Sequence, residues 1–293
     1  MFENFARRRL PGSDGVEINA MIGGSGPPLL LLHGYPQTHA MWHKVAPVLA
    51  GQFTVVAADL RGYGDSSKPP SDPEHLVYSK RSTANDQVAA MRSLGFERFS
   101  VAGHDRGGRV AHRMALDHPA AVEKICVLDI APTREMFRPT TFEFAMAYYH
   151  WYFLAQPYDL PERLIGADPE YYLRKKTSSW SGNRDSGIFS PEAMAEYIRC
   201  FKDPKTIHAS CEDYRAAATI DLTHDDADGD RKVEAPLLVL WGAKGVVHRL
   251  FDPISAWKQR AHNVTGESLP TAHYLAEEAP ELVSARLLEF FQA

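Results

Sequence analysis

The pentapeptide Gly103-His104-Asp105-Arg106-Gly107 directly follows an apolar run, Phe99-Ser100-Val101-Ala102. Two glycines flanking a central residue at this spacing predict a tight strand–turn–helix that presents one side chain at the carboxyl end of a strand. That side chain is an aspartate where acyl-transfer enzymes carry serine, and the exchange changes the chemistry. A carboxylate attacking an ester carbonyl would give a mixed anhydride, a poor route to hydrolysis. Attack on a saturated carbon instead expels a leaving group and leaves an alkyl ester that water can cleave. The motif therefore points to displacement at carbon, of a halide or an epoxide oxygen.

Cleaving an aspartyl ester requires an activated water, hence a general base and a group to orient it. The chain supplies nucleophile, acid and histidine in the order Asp105, Asp129, His273. Asp129 ends the apolar run Ile125-Cys126-Val127-Leu128, and His273 follows the last candidate strand in Pro270-Thr271-Ala272-His273. A rival acid, Asp252, lies ten residues beyond Gly242-Ala243-Lys244-Gly245 and is less well placed at a strand end. His33-Gly34-Tyr35-Pro36 follows Leu29–Leu32. Its loop is expected to set the Tyr35 backbone N–H beside that of Arg106 as an oxyanion hole. His33 and His104 adjoin these residues and are read as loop supports. Arg106 and Arg109 flank the nucleophile, Arg109 one helical turn on. Two guanidinium groups beside an anionic nucleophile would only weaken it, unless they hold a substrate carboxylate and so fix the adjacent carbon for in-line attack.

Short apolar runs predict the strands that position these groups: Val16–Ile22, Leu29–Leu32, Phe53–Ala58, Phe99–Ala102, Lys124–Leu128, Pro236–Trp241 and a weaker one at Val264–Leu269. Helix-compatible stretches, Tyr78–Leu94, Arg109–Asp117 and Ala279–Phe290, lie between and after them. Continuous apolar strands alternating with helices predict an α/β fold, a mostly parallel central sheet flanked by helices. The rhythm breaks after Asp129 and resumes at Pro236. Aromatic, helix-like segments fill the gap: Phe142–Phe153, Glu170–Trp180, Pro191–Lys202 and Thr206–Ile220. The expected division is a core of residues 1–131 and 226–293 with an inserted helical cap at 132–225. The acidic stretch Asp225–Asp230 is read as a solvated connector; its DxDxD spacing lacks the glycine of a calcium loop, which Arg231 replaces.

At 293 residues and 44% hydrophobic, the chain can bury a large core. A net charge of −5 with mixed signs gives no basic footprint for nucleic acid or an anionic membrane. Cys126, Cys200 and Cys211 show no metal-type spacing and read as reduced thiols of a cytoplasmic protein. Neither a signal peptide nor a membrane-spanning run is evident.

The HGxP-type loop, the aspartate elbow and the late histidine resemble the α/β-hydrolase superfamily in its aspartate-nucleophile branch. More narrowly, GHDRGGR at Gly103–Arg109, His150-Trp151 and CEDYR at Cys211–Arg215 resemble the fluoroacetate (haloacetate) dehalogenases. That resemblance implies hydrolysis of a small 2-halocarboxylate without metal or organic cofactor, and a homodimer. It also implies a halide site made by His150, Trp151 and Tyr214, whose imidazole, indole and phenol each offer a polar hydrogen. Against this, seven of the twelve residues of Phe142–Phe153 are aromatic, as a simple cap core would be. An epoxide hydrolase is the alternative, with Tyr214 and one of Tyr148, Tyr149 or Tyr152 protonating the opening oxygen, but a neutral epoxide leaves the arginines nothing to hold. Haloalkane dehalogenases carry tryptophan where this chain has Arg106. A binding protein that has lost turnover fits poorly with an intact Asp105, Asp129 and His273.

Overall fold

The computed structural model describes residues 1–182 and 186–293. Eight strands form one sheet: β1 (Ala6–Pro11), β2 (Glu17–Gly23), β3 (Pro28–Leu32), β4 (Thr54–Ala58), β5 (Phe99–His104), β6 (Val122–Leu128), β7 (Leu237–Gly242) and β8 (Val264–Leu269). Their order is β1-β2-β4-β3-β5-β6-β7-β8, with β2 antiparallel to both neighbours and the other pairings parallel. Leu29 to Leu32 and Ile125 to Leu128 are fully buried, as continuous apolar runs in a sheet covered on both faces require. Each expected strand is present. The additional β1 is an edge strand whose Arg7, Arg8 and Arg9 are exposed, a charged edge that resists pairing with other chains and gives no apolar signal.

Among the described residues only helices lie between β6 and β7, apart from one isolated bridge at Val233. Phe142–Phe153 is two short helices, Phe142–Ala147 and Tyr149–Leu154, and Thr206–Ile220 begins earlier, at Pro204. The acidic connector is corrected: a helix, Ile220–Asp228, runs through most of it. Asp225 and Asp228 there both pair with the buried Arg113, so their charges answer a cation of the sheet-facing helix Arg106–Asp117 rather than solvent.

Several contacts join this helical block to the segment after His273, and one of them is between titratable groups. Tyr197 of helix Pro191–Phe201 donates to Glu277 Oε1 at 2.6 Å. Burial raises the Glu277 carboxyl from the usual 4.5 to about 7, against the opposing pull of Tyr197 and Lys44. The folded chain therefore holds a proton between those values that the unfolded chain has lost, and stability falls as pH rises through that window. Glu277→Gln, which cannot ionise, is expected to melt above the unsubstituted protein at pH 8, on the order of 3 kcal/mol at most, and to lose that advantage by pH 5. Parallel melting curves at the two pH values check it; an advantage independent of pH would refute it.

Candidate active site

Asp105 stands between β5 and the helix Arg106–Asp117 with φ 46° and ψ −114°, a strained conformation for a residue with a side chain. The turn closes only because its neighbours lack side chains. A Cβ on Gly103 would lie 2.3 Å from the Gly107 carbonyl oxygen, and one on Gly34 would lie 2.5 Å from the Asp105 Cβ. The helix N-terminus adds its positive dipole end to the carboxylate. Tyr35 N–H donates to Asp105 Oδ2 at 3.1 Å. The Arg106 N–H, first in the helix, has no acceptor within its own helix. Burial alone would raise the Asp105 carboxyl. The neighbouring groups His273, His104, Arg106 and Arg109, in that order, outweigh it and hold the carboxyl below its usual range, ionised.

His273 Nδ1 lies 2.7 Å from Asp129 Oδ2, and Gly242 N–H donates to the other carboxylate oxygen at 3.0 Å. With its acid fixed at both oxygens, the imidazole has one orientation, and its Nε2 is left for another partner. The His104 ring lies 4.5 Å from this ring, inclined at 50° to it, and holds the His273 carbonyl through Nε2 at 2.7 Å. Burial, then the charge of His273, lowers its pKa to about 3, so it stays neutral. His33 spans the Gly34 carbonyl through Nδ1 and the Leu60 N–H through Nε2. Both histidines are thus occupied by backbone, as loop supports are. Asp252 is an exposed helix cap bonded to Ser255 and has no contact with His273.

The two arginines have different surroundings. Arg106 grips Asp213 through Nε (2.7 Å) and Nη2 (2.9 Å), leaving Nη1 buried without a partner among the described residues. Asp213 also takes Lys80 and the Tyr63 hydroxyl, so this charge is answered within the protein. Arg109 donates only to the Ala131 carbonyl, the Thr133 hydroxyl and the Met136 thioether; its Nε is buried and unpartnered. No carboxylate lies within ion-pair distance of it among the described residues. Burial, then the charge of Arg106, lowers its pKa against the opposing pull of Asp105, as for a buried cation without a direct ion-pair partner.

Helix Tyr149–Leu154 brings His150 and Trp151, and helix Pro204–Ala218 brings Tyr214, onto these arginines. Arg106 lies 4.2 Å over the Tyr214 ring and Arg109 4.7 Å over Trp151. The Tyr214 hydroxyl is buried without a partner among the described residues, and burial with the Asp105 charge keeps it protonated. Trp180 packs edge-on to both His150 and His273, at 5.2 and 4.8 Å. Tyr35, Asp105, Arg106, Arg109, Asp129, His150, Trp151, Tyr214 and His273 therefore join one cluster, and all are buried, whereas Asp252 and Tyr149 are exposed and Tyr152 is half-buried. A groove of about 870 Å³ between Pro69, His75, Tyr158 and His208 contains none of them. Sequence reasoning missed the roles of Asp213, Lys80 and Trp180. Asp213 sat inside the CEDYR motif, where a charge beside Tyr214 on one helix was the available signal.

The site and sheet together define a hydrolase of the α/β class, and the chain belongs to that family: the family model for the alpha/beta hydrolase fold matches residues 27–284. Within it the chain is 50% identical to the fluoroacetate dehalogenase of a Burkholderia species over 290 residues, 99% of this chain and 95% of that one, and falls in the same branch. The soluble epoxide hydrolase of Corynebacterium sp. strain C12 is 35% identical over 95% of this chain and 94% of its own. The crystal structure of ALR0039, an alpha/beta hydrolase from Nostoc sp PCC 7120, superposes with a TM-score of 0.97 at 58% identity and covers 99% of both chains. Among the described residues no helix is long and apolar enough to cross a membrane.

Proposed function

We propose that this protein hydrolyses short 2-halocarboxylates, fluoroacetate or chloroacetate, to glycolate and halide. The observation that carries the reading is Arg109, a buried guanidinium without a counterion beside an ionised carboxylate nucleophile. A substrate carboxylate supplies that counterion. Held by Arg109 with the free Nη1 of Arg106, it sets C2 in line with Asp105. An Asp105 oxygen forms the new C–O bond as the carbon–halogen bond breaks, both electrons leaving with the halide. His150, Trp151 and Tyr214 donate to the departing ion from the helical block, residues 132–225, which acts as a cap. His273, oriented by Asp129, then takes a proton from water as the oxygen attacks the aspartyl carbonyl carbon. The N–H groups of Tyr35 and Arg106 receive the oxyanion. Collapse expels glycolate, which recovers the proton from His273, and Asp105 loses its carboxyl proton to solvent. No step calls for a metal or organic cofactor.

Water labelled with ¹⁸O tests this sequence of bonds. In a single turnover with enzyme in excess, the label is expected in Asp105 and absent from the glycolate hydroxyl. Label in glycolate at the first turnover would mean direct attack by water and defeat the ester route. Epoxide opening is the second reading, favoured by the protonated, unpartnered Tyr214 hydroxyl and the Corynebacterium relative. Opening of an epoxide by protein that releases no halide from either acid would establish it instead.

A further inference from the structure

Lys176 has no part in the chemistry so far, yet it is buried deep in the helical block on helix Pro169–Trp180. Its Nζ lies 3.2 Å from His150 Nδ1 and 3.7 Å over the Trp180 ring. No carboxylate stands within ion-pair distance of it among the described residues. Burying an amine without a carboxylate is costly, and a methionine would fill the same space at lower cost. The polar partner it does have is a histidine whose other nitrogen, Nε2, is on the opposite edge of the ring.

We propose that Lys176 is a positioning residue of the halide site: it donates to His150 Nδ1, so that His150 carries its proton on Nε2 and turns a donor, not a lone pair, toward the leaving halide. This rests on the haloacid reading and deepens it. The tautomer follows from donor inventory. As an ammonium, Lys176 offers only donors, so His150 Nδ1 at 3.2 Å accepts, and a neutral imidazole then has its one N–H at Nε2. His150 is held neutral, by burial first and then by the Lys176 charge, so a single proton is at issue. Without the lysine both tautomers are open, and the one with an Nε2 lone pair repels an anion. Charge counting agrees. After displacement the site holds the substrate carboxylate and the halide, and Arg109 and Lys176 are buried basic groups there that no protein carboxylate pairs with among the described residues. Burial pushes the Lys176 ammonium well below the usual lysine range, opposed by the charge of Asp105, and a second anion nearby favours the protonated form further. Fluoride, the smallest and most strongly hydrated halide, depends most on such donors when it leaves.

The test is Lys176→Met, compared on fluoroacetate and chloroacetate, together with ¹⁵N spectra of His150. The expected result is a kcat on fluoroacetate lower by about 30-fold, a kcat on chloroacetate within about 3-fold, and little change in either KM. In the spectra of the resting protein, the His150 Nδ1 resonance is expected to shift from an unprotonated position toward a mixture of tautomers. Equal losses on both acids, or an unchanged His150 spectrum, would overturn the role of Lys176 while the haloacid reading stands. An unsubstituted protein that releases neither halide would overturn both.

Discussion

His273→Asn is expected to release one equivalent of halide per active site and then stop, with the protein heavier by the mass of the trapped ester, about 58 Da for fluoroacetate. In the proposed mechanism the two half-reactions use different residues, which is why they can be separated. Displacement needs the Asp105 carboxylate, the carboxylate grip and the halide donors. Ester cleavage needs the His273 imidazole, which is held by Asp129 Oδ2 at 2.7 Å. Asparagine cannot take a proton from water, so the second step falls by several orders of magnitude while the first is largely kept. Asp105→Ala differs in kind: it is expected to release no halide at all, at least about 10⁴-fold below the unsubstituted protein. Peptide mapping of the His273→Asn adduct should place the added mass on the segment containing Asp105. A full burst from Asp105→Ala, or mass added elsewhere, would remove Asp105 as nucleophile. Continued turnover by His273→Asn without an adduct would remove His273 as the base for the ester.

Much of this site was legible in the sequence because its geometry is set by the backbone. The elbow, the strand-end acid and the late histidine are positions on a parallel sheet, and apolar runs locate the ends of its strands. Asp105, Asp129 and His273 follow from β5, β6 and β8 once those strands are found. Side-chain partners across the fold were not legible. Arg106 and Arg109 look equivalent in GHDRGGR, yet one meets Asp213, over a hundred positions on, and the other meets a carbonyl, a hydroxyl and a thioether. The packing of the helical block against the sheet decides this, and residue spacing carries no record of it. The same holds for Lys176, which reads as one of two lysines in Arg174-Lys175-Lys176 until the helix buries the second. β1 was missed because an exposed strand with three arginines has no apolar period to find.

Arg109→Met should separate binding of the acid group from everything else the site does, and here function and stability are expected to move in opposite directions. The Arg109 guanidinium is buried, its Nε has no partner among the described residues, and its Nη2 has a thioether sulfur as acceptor. On the haloacid reading these N–H groups face the substrate carboxylate, and charge-assisted pairs of this kind contribute roughly 3–5 kcal/mol when desolvated. Their loss predicts a fall of about 10³-fold in kcat/KM for fluoroacetate and chloroacetate, since C2 is then neither held nor aimed. Chloroacetamide, which offers no anion, should lose less than about 10-fold, and the resulting change in preference between acid and amide is the measurement to make. Arg109→Lys keeps the charge but not the planar fork, and an intermediate loss is expected. The free protein should meanwhile melt at the same temperature or higher, because methionine removes an unpaired buried charge. A destabilised variant that lost acid and amide alike would show Arg109 to be structural, and with it the haloacid reading would lose the observation that carries it.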